Sequence, residues 1–578
     1  MSNMIDKSLL QQVFKSNEFK AWLISKRWFG DKSSLSTLDF TVTITYFQIL
    51  SDNIFLIIIR ITTKEYSKEY FLPLIQYEKI QEIVEPKESN HKLIVLLTEK
   101  TFSKIIALNT SDEIIDSILS LNLLEAEYCA IFWKKLLFDK KISELFPSMN
   151  LELELYDDQF ENEVHLKKAR SLIEAGLYPD KYDLSLELLG GGNTTNVLFL
   201  LRIYNKKIPD QQPDSYVLKS YKEYTERIEP RTLYVLVKNN FPNAPKIYGM
   251  VDINGKETIG ILENVPNIGN LGDIYWNELN QMVKSVFINS EGNYSHLTNQ
   301  DTINELIKDY CGESLIVSGD IGIHIKNLHK SLVLKGDSQY FKETVNSEEY
   351  LLNYTNNLNK IVSEIQQNIK KNTDRAFYTS PKIISILIDI QDIIEKYRSE
   401  FDVEEIIIQP VHQDLHMQQI LFNKMNDHFN FYFIDFEGDP QLTIEEKKSH
   451  FPIEKDLGSF LRSLSYIKFN TLLNFIEEKI IDKKKFEVPE EFLFSIYFRK
   501  SAKITKKQEV LEILLKLLNS WEKKLMSKIF NTSLKLHFTL IKYYSIERAL
   551  HELDYELLFR PNNIIIPILG LKEIIDKN

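Results

Sequence analysis

The stretch Pro410–Phe422, followed by Phe431–Glu437, constrains this chain more than any other feature. Its apolar runs read as a short pair of strands. Three oxygen-bearing side chains hang from them in order: Asp414, Gln419 five positions later, and Asp435 at the end of the second run. A carboxylate can take a proton from a hydroxyl. A second carboxylate and an amide oxygen are hard ligands of the kind Mg²⁺ prefers.

The spacing of Asp414 and Gln419 is that of the catalytic Asp and metal-binding Asn in the HRDxxxxN loop of protein kinases, and Asp435 stands where kinases carry the Asp of DFG. The chemistry expected is phosphoryl transfer, with Asp414 as the base and Gln419 and Asp435 as Mg²⁺ ligands. Gln419 keeps the amide oxygen with one more methylene of reach. Glu437 lies two residues beyond Asp435, and alternation along a strand would return it to the same face, against metal, water or substrate. His412 and His416 are four apart, but without a helical pattern or a third ligand they read as loop braces or contacts to a sugar hydroxyl rather than a zinc pair. Asp456 reads as a helix cap or a holder of the loop backbone, and Arg462 as a surface charge or a pocket donor.

Upstream, Leu186–Arg202 reads as strand, glycine turn, strand. Gly191 and Gly192 would let backbone N–H groups approach phosphate oxygens, with Asn193, Thr194 and Thr195 adding donors. Lys219, alone among apolar neighbours in the strand Ser215–Tyr221, is placed to contact the α/β-phosphates. No GxxxxGK[ST] occurs, so this is not a Walker A loop. The carboxylate partner of the Lys is either Glu226 or Glu229. Gly260–Pro266 reads as the segment joining two lobes, its backbone taking the adenine edge at Glu263 and Val265. ATP is the expected nucleotide.

At 578 residues the chain is too long for one ordinary core. Residues 1–100 read as a small α+β cap, with an amphipathic helix over 4–26 and strands at Phe40–Leu50, Ile54–Ile61 and Tyr70–Leu74. Residues 101–180 read as mostly helical, 181–266 as a β-rich nucleotide lobe, and 267–578 as a helical lobe carrying the loop and the acceptor site. A net charge of −12 argues against nucleic acid or an anionic membrane as partner. Two cysteines, Cys129 and Cys311, cannot build a disulfide framework, which fits a reducing cytoplasm. The start of the chain has no charged-then-apolar signal pattern, and the longest apolar runs are far below the roughly 20 residues that span a bilayer.

The motifs resemble the maltokinase family. Lys26–Lys32 looks like its RWFAGK signature, and Leu328-His329-Lys330 with Leu332 like ELHxAL. His412–Gln419 is similar to HGDxHLGQ, Ile434–Pro440 to LDFEGEP, and Lys455–Ser463 to RDVAGMLRS. Glu547–Leu557, Arg560-Pro561 and Ile566–Leu571 look like EKALYELxYEL, RPDW and IPLRGL. The resemblance implies an α+β, bilobal protein-kinase-like (aminoglycoside phosphotransferase-like) fold with an N-terminal cap. It implies ATP- and Mg²⁺-dependent phosphorylation of maltose at its anomeric hydroxyl. It carries Asp414 over as base, Gln419 and Asp435 as metal ligands, Lys219 as phosphate contact, and Tyr555 and Glu556 as neighbours of the sugar, where His416, Glu437 and Arg462 are further candidates.

Two departures stand out. The family's RPDW Trp falls on Asn563, which opens the reading of another sugar such as glucosamine or glucose. The Asn-Pro-acid expected after the Lys strand appears as Glu229-Pro230-Arg231. A non-catalytic partner of trehalose synthase and an aminoglycoside-type kinase are the competing readings. The first conflicts with the retained Asp414, Gln419, Asp435 and Lys219, and the second with the terminal motifs.

Overall fold

The computed structural model describes residues 6–577 apart from 27, 30–38, 52, 65–66, 77–122, 157–159, 161, 190–194, 209, 289–293, 295–296, 298, 372–380, 427, 481–492, 495–505 and 532–535. The chain forms two compact units. One comprises residues 1–237 and 245–265, the other 238–244 and 266–578.

The first unit begins with two helices, α1 (Lys7–Lys15) and α2 (Asn17–Ser25), where the apolar spacing predicts one. The break is at Ser16. Its backbone is extended (φ −66°, ψ 150°), and its hydroxyl oxygen accepts the Phe19 amide at 3.1 Å, the geometry of an N-cap. Five antiparallel strands follow: β1 (Thr41–Ser51), β2 (Ile54–Thr62), β3 (Ser67–Phe71), β4 (Leu74–Gln76) and β5 (Leu123–Glu125), in the order β1-β2-β4-β5 with β3 on β2. β1 alternates between exposed and buried over its first six residues, as a half-buried strand should.

Helix α3 (Ala130–Phe138) leads to β6 (Leu151–Leu155), and α4 (Glu163–Leu177) to β7 (Tyr182–Leu188), β8 (Val197–Asn205) and β9 (Asp214–Ser220). After α5 (Glu229–Lys238) come β10 (Ile247–Ile253) and β11 (Lys256–Glu263). These six strands make one antiparallel sheet in the order β6-β10-β11-β9-β8-β7. Its edge strand β6 comes from the segment read as mostly helical. The two sheets share a buried apolar core running from Leu10 to Ile261. They are also joined through the backbone: the Phe71 amide donates to the Lys222 carbonyl at 2.8 Å and the Tyr224 amide to that of Glu69 at 2.7 Å.

The second unit is mainly helical. After the short β12 (Gly269–Asn270) come α6 (Leu271–Ile288), α7 (Gln300–Tyr310), α8 (Gly312–Ser331), β13 (Glu343–Asn346), α9 (Ser347–Lys371) and α10 (Pro381–Ser399). β14 (Glu405–Ile408), β15 (Ile420–Met425) and β16 (His428–Phe433) precede α11 (Glu454–Phe475), α12 (Lys506–Ile529), α13 (Phe538–Phe559) and α14 (Ile565–Asp576). β12, β15 and β16 form a small antiparallel sheet. Helix α11 is buried along most of its length and packs on α13. At Gly458 a Cβ would come within 2.9 Å of the Ile541 carbonyl and the Ser545 amide, so the approach of α11 to α13 needs a glycine there.

The class is α+β, as expected. The element order is that of a protein-kinase-like chain: a hairpin, a Lys strand, a carboxylate-bearing helix, two more strands, then helices interrupted by a strand pair. No described helix is long and apolar enough to cross a membrane.

Candidate active site

Within the first unit, Lys219 is the penultimate residue of β9. Its Nζ is 2.7 Å from Glu229 Oε2, and both side chains are buried. The Tyr221 hydroxyl donates to the same oxygen at 2.8 Å. Of the two partners left open by the sequence, Glu229 at the start of α5 makes the pair, whereas Glu226 is exposed. Gly191, Gly192, Asn193 and Thr194 lie outside the described residues. Strand β11 continues to Glu263, through much of the segment read as a connection. The Glu263 amide donates to the Lys246 carbonyl at 2.7 Å, and its carboxylate lies 3.6 Å from Lys168 Nζ and 3.7 Å from His165 Nδ1. Val265 is buried.

Within the second unit, the loop from His412 to Gln419 is pinned from below by Asp456, in the first turn of α11. Asp456 Oδ2 accepts the His412 amide at 2.9 Å and its Oδ1 the Gln413 amide at 2.8 Å. His329 Nε2 is 2.9 Å from Oδ2. Burial opposes ionisation of this carboxyl, but the bonds from His329 and His412 outweigh it and hold it below the usual carboxylate range. Asp456 makes no cap for its own helix, so of its two expected roles it takes that of loop holder. Gln413 is left-handed (φ 71°) and its side-chain amide donates to the Lys447 carbonyl at 2.6 Å. Such backbone persists where surrounding bonds over-determine it.

Asp414 follows directly and is partly buried. His416 Nε2 is 3.8 Å from its Oδ2. Burial, with Arg548 and His412 nearby, outweighs the attraction of Asp414 and lowers the His416 pKa to about 4, so the ring is neutral at pH 7. His412 bonds the Ile434 carbonyl through Nε2 at 2.9 Å, the brace expected of it. Gln419 Nε2 donates to Asp435 Oδ2 at 2.8 Å. The Ile434 amide donates to the Gln419 carbonyl at 2.9 Å, which fixes the two segments to each other. An amide oxygen beside a carboxylate is a donor set that suits Mg²⁺.

Strand β16 ends at Phe433, and Asp435 is left-handed (φ 66°). Glu437 therefore lies in a turn rather than in the strand, yet its carboxylate stays within 4.8 Å of that of Asp435, as expected. The turn is the chain reversal that begins at Asp435 and ends at Gly438 (φ 75°).

One residue at this site was given no role by the sequence. Arg548, on α13, donates from Nη1 to Asp414 Oδ1. Its Nε lies 3.9 Å from Glu552 Oε1, and Glu552 Oε2 lies 2.9 Å from Arg462 Nε. Arg462 is buried and also donates to Ser465 Oγ at 2.5 Å and the Ile566 carbonyl at 3.4 Å. The guanidinium lies against Gly570, where a Cβ would displace it from this position. The available signal was a stripe of charges at 548, 552 and 556, one helical turn apart on a helix that is otherwise largely apolar.

Beside this stripe, Asp439, Glu547 and His551 lie close enough to share an ion. Glu547 is already bound by Lys455 Nζ at 2.6 Å and by the Tyr354 hydroxyl, and His551 Nδ1 is 3.2 Å from Asp439. A buried lysine ammonium fills the cationic role there.

At the end of α13, Tyr555 is 43% exposed, with the Arg560 guanidinium 5.0 Å from its ring centre. Glu556 is buried, accepts from the Tyr466 hydroxyl at 2.9 Å and pairs with Arg560 at 2.8 Å. Asn563 follows in the short turn Pro561–Asn563. Asp414, His416, Gln419 and Asp435 are thus gathered with Arg548. Glu556 is eight residues along the helix from Arg548, about 12 Å at 1.5 Å per residue.

No protein-family profile matches the chain. Among solved structures it is similar to a glucosamine kinase in complex with glucosamine, ADP and inorganic phosphate, with a TM-score of 0.44 and 9% identity over 92% of this chain and 93% of that one. It is also similar to a Plasmodium vivax ethanolamine kinase, with a TM-score of 0.31 and 14% identity over 75% of this chain and 94% of that one. A choline kinase from Cryptosporidium parvum matches with a TM-score of 0.32 and 11% identity, over 69% and 89% of the two chains.

Proposed function

We propose that the chain is an ATP-dependent kinase that phosphorylates a hydroxyl of a small acceptor. The observation that carries this reading is the pinned loop: Asp414 follows two amides anchored on Asp456, and Gln419 binds Asp435 five residues further on. In this reading Asp414 accepts the acceptor's proton as the acceptor oxygen bonds the terminal phosphorus. The bond from that phosphorus to its bridging oxygen breaks, and the electron pair leaves on ADP. Positioning and electrostatics carry most of such a reaction. Gln419 and Asp435 would hold Mg²⁺, which when bound neutralises phosphate charge. Lys219, fixed by Glu229, would contact the phosphates. The backbone of Gly191 and Gly192 with Asn193 and Thr194 would cradle them, and the chain at Glu263 and Val265 would take the adenine edge.

In its finer form the reading is a sugar 1-kinase acting on maltose, with Tyr555 and Glu556 towards the sugar and His416, Glu437 and Arg462 around them. Asn563 favours a second form. Without the indole at this position a second glucose ring loses a stacking platform, and a monosaccharide such as glucosamine or glucose becomes the competing acceptor. ADP release measured with maltose, glucose, glucosamine, trehalose and an aminoglycoside tests both. Turnover with a sugar supports the reading, and no ADP release with any of them refutes it.

A further inference from the structure

The two oxygens of Asp414 are not equivalent. Oδ1 accepts from Arg548 Nη1, while the group near Oδ2 is His416 Nε2 at 3.8 Å, beyond hydrogen-bonding distance. A carboxylate oxygen that already holds a charge-assisted bond is the poorer proton acceptor, which leaves the other as the basic one.

Arg548 is in turn held from behind. Asp414, Arg548, Glu552 and Arg462 alternate in charge across the loop, α13 and α11. The chain of contacts ends on Arg462, which also donates to the Ile566 carbonyl and lies against Gly570. Arg462 and Glu552 therefore act on Asp414 only through Arg548.

We infer that Arg548 is a positioning residue that binds Asp414 Oδ1 and turns Oδ2 to the acceptor hydroxyl, with Glu552 and Arg462 holding Arg548 in register. This rests on the kinase reading of the site. The acceptor O–H proton goes to Oδ2 as the new P–O bond forms, and the electron pair of the broken P–O bond leaves on ADP. The role belongs to the chemical step rather than to nucleotide binding.

The test is steady-state kinetics on the full chain with Arg548→Ala, Arg548→Lys and Glu552→Gln, using the best acceptor from the ADP-release panel. Arg548→Ala is expected to lower kcat by about 100-fold with the KM for ATP unchanged within about twofold, the pattern of an interaction that matters in the transition state. Added guanidinium chloride at low millimolar concentration should recover at least about tenfold of the lost rate, because a free guanidinium can reoccupy the space beside Oδ1. A purely structural role would not respond to guanidinium. Wild-type turnover in Arg548→Ala, or a lost rate that guanidinium leaves unrestored, overturns the inference. If Arg548→Ala does not fold, the other two variants decide: a reduced kcat at unchanged KM for ATP in both supports it, and wild-type kcat in both overturns it. A wild-type chain that releases no ADP with any acceptor refutes the kinase reading itself, a result distinct from these.

Discussion

Lys219 and Glu229 form a buried ion pair, Nζ to Oε2 at 2.7 Å, with the Tyr221 hydroxyl on the same carboxylate oxygen. Two charges are withdrawn from water here, and only good geometry offsets that cost. Glu229→Gln leaves a buried ammonium without its counter-charge. We expect a loss of about 3 kcal/mol in unfolding free energy by denaturant titration, together with a raised KM for ATP. Unchanged stability and unchanged KM would mean that the pair has neither role.

The oxygens of Asp435 and Gln419 differ in charge, so their removal should differ in consequence. Asp435→Asn is expected to raise the Mg²⁺ concentration needed for half-maximal activity more than Gln419→Leu does, because charge dominates binding of a hard cation. Activity titrated against Mg²⁺ checks the order. The same Mg²⁺ requirement in both variants and the wild type would remove this site from consideration.

His551 is buried against Asp439. Burial alone would lower its pKa, but the charge and hydrogen bond of Asp439 outweigh that and raise it above the ordinary value. A group whose folded pKa is raised contributes its full stability below the unfolded pKa, about 6.5, and loses it as pH rises through the folded value. Wild-type Tm should therefore fall more steeply above about pH 6.5 than the Tm of His551→Gln, which lacks the titrating group. Parallel Tm–pH curves for the two proteins would contradict the pairing.

Asn563 occupies the position where the resembled family has an indole. If maltose is the acceptor, Asn563→Trp should lower its KM more than that of glucose or glucosamine, with little change in kcat, as expected when binding is strengthened equally in ground and transition states. Equal effects on all the sugars would argue against maltose and leave the kinase reading intact.

Much of the fold was legible because burial imposes periodicity. The strands β1, β2 and β7 to β9, and the helical run after 270, all follow their apolar patterns. The break at Ser16 was not read, because a local hydroxyl-to-amide cap competes with an apolar pattern that continues across it. The meeting of Gln419 with Asp435 was legible from spacing, since those residues are close in sequence. Lys219 was legible as a lone charge in an apolar strand, but its partner was not, because Glu226 and Glu229 differ only in how the turn before α5 orients them. Arg548 was missed for a related reason. It lies 134 positions from Asp414, and only the packing of α13 on α11 brings it to the loop. Glu437 does lie beside Asp435, but through the left-handed turn at Asp435 rather than through the strand alternation from which its place was read.

The most direct test of the account is Asp414→Asn. The substitution keeps shape and removes the basic oxygen pair. We expect ATP binding by calorimetry to match the wild type within a few-fold and kcat to fall by at least about 100-fold, the scale of a positioned general base. A variant that binds ATP and retains wild-type turnover would contradict the assignment of Asp414, and with it the central claim.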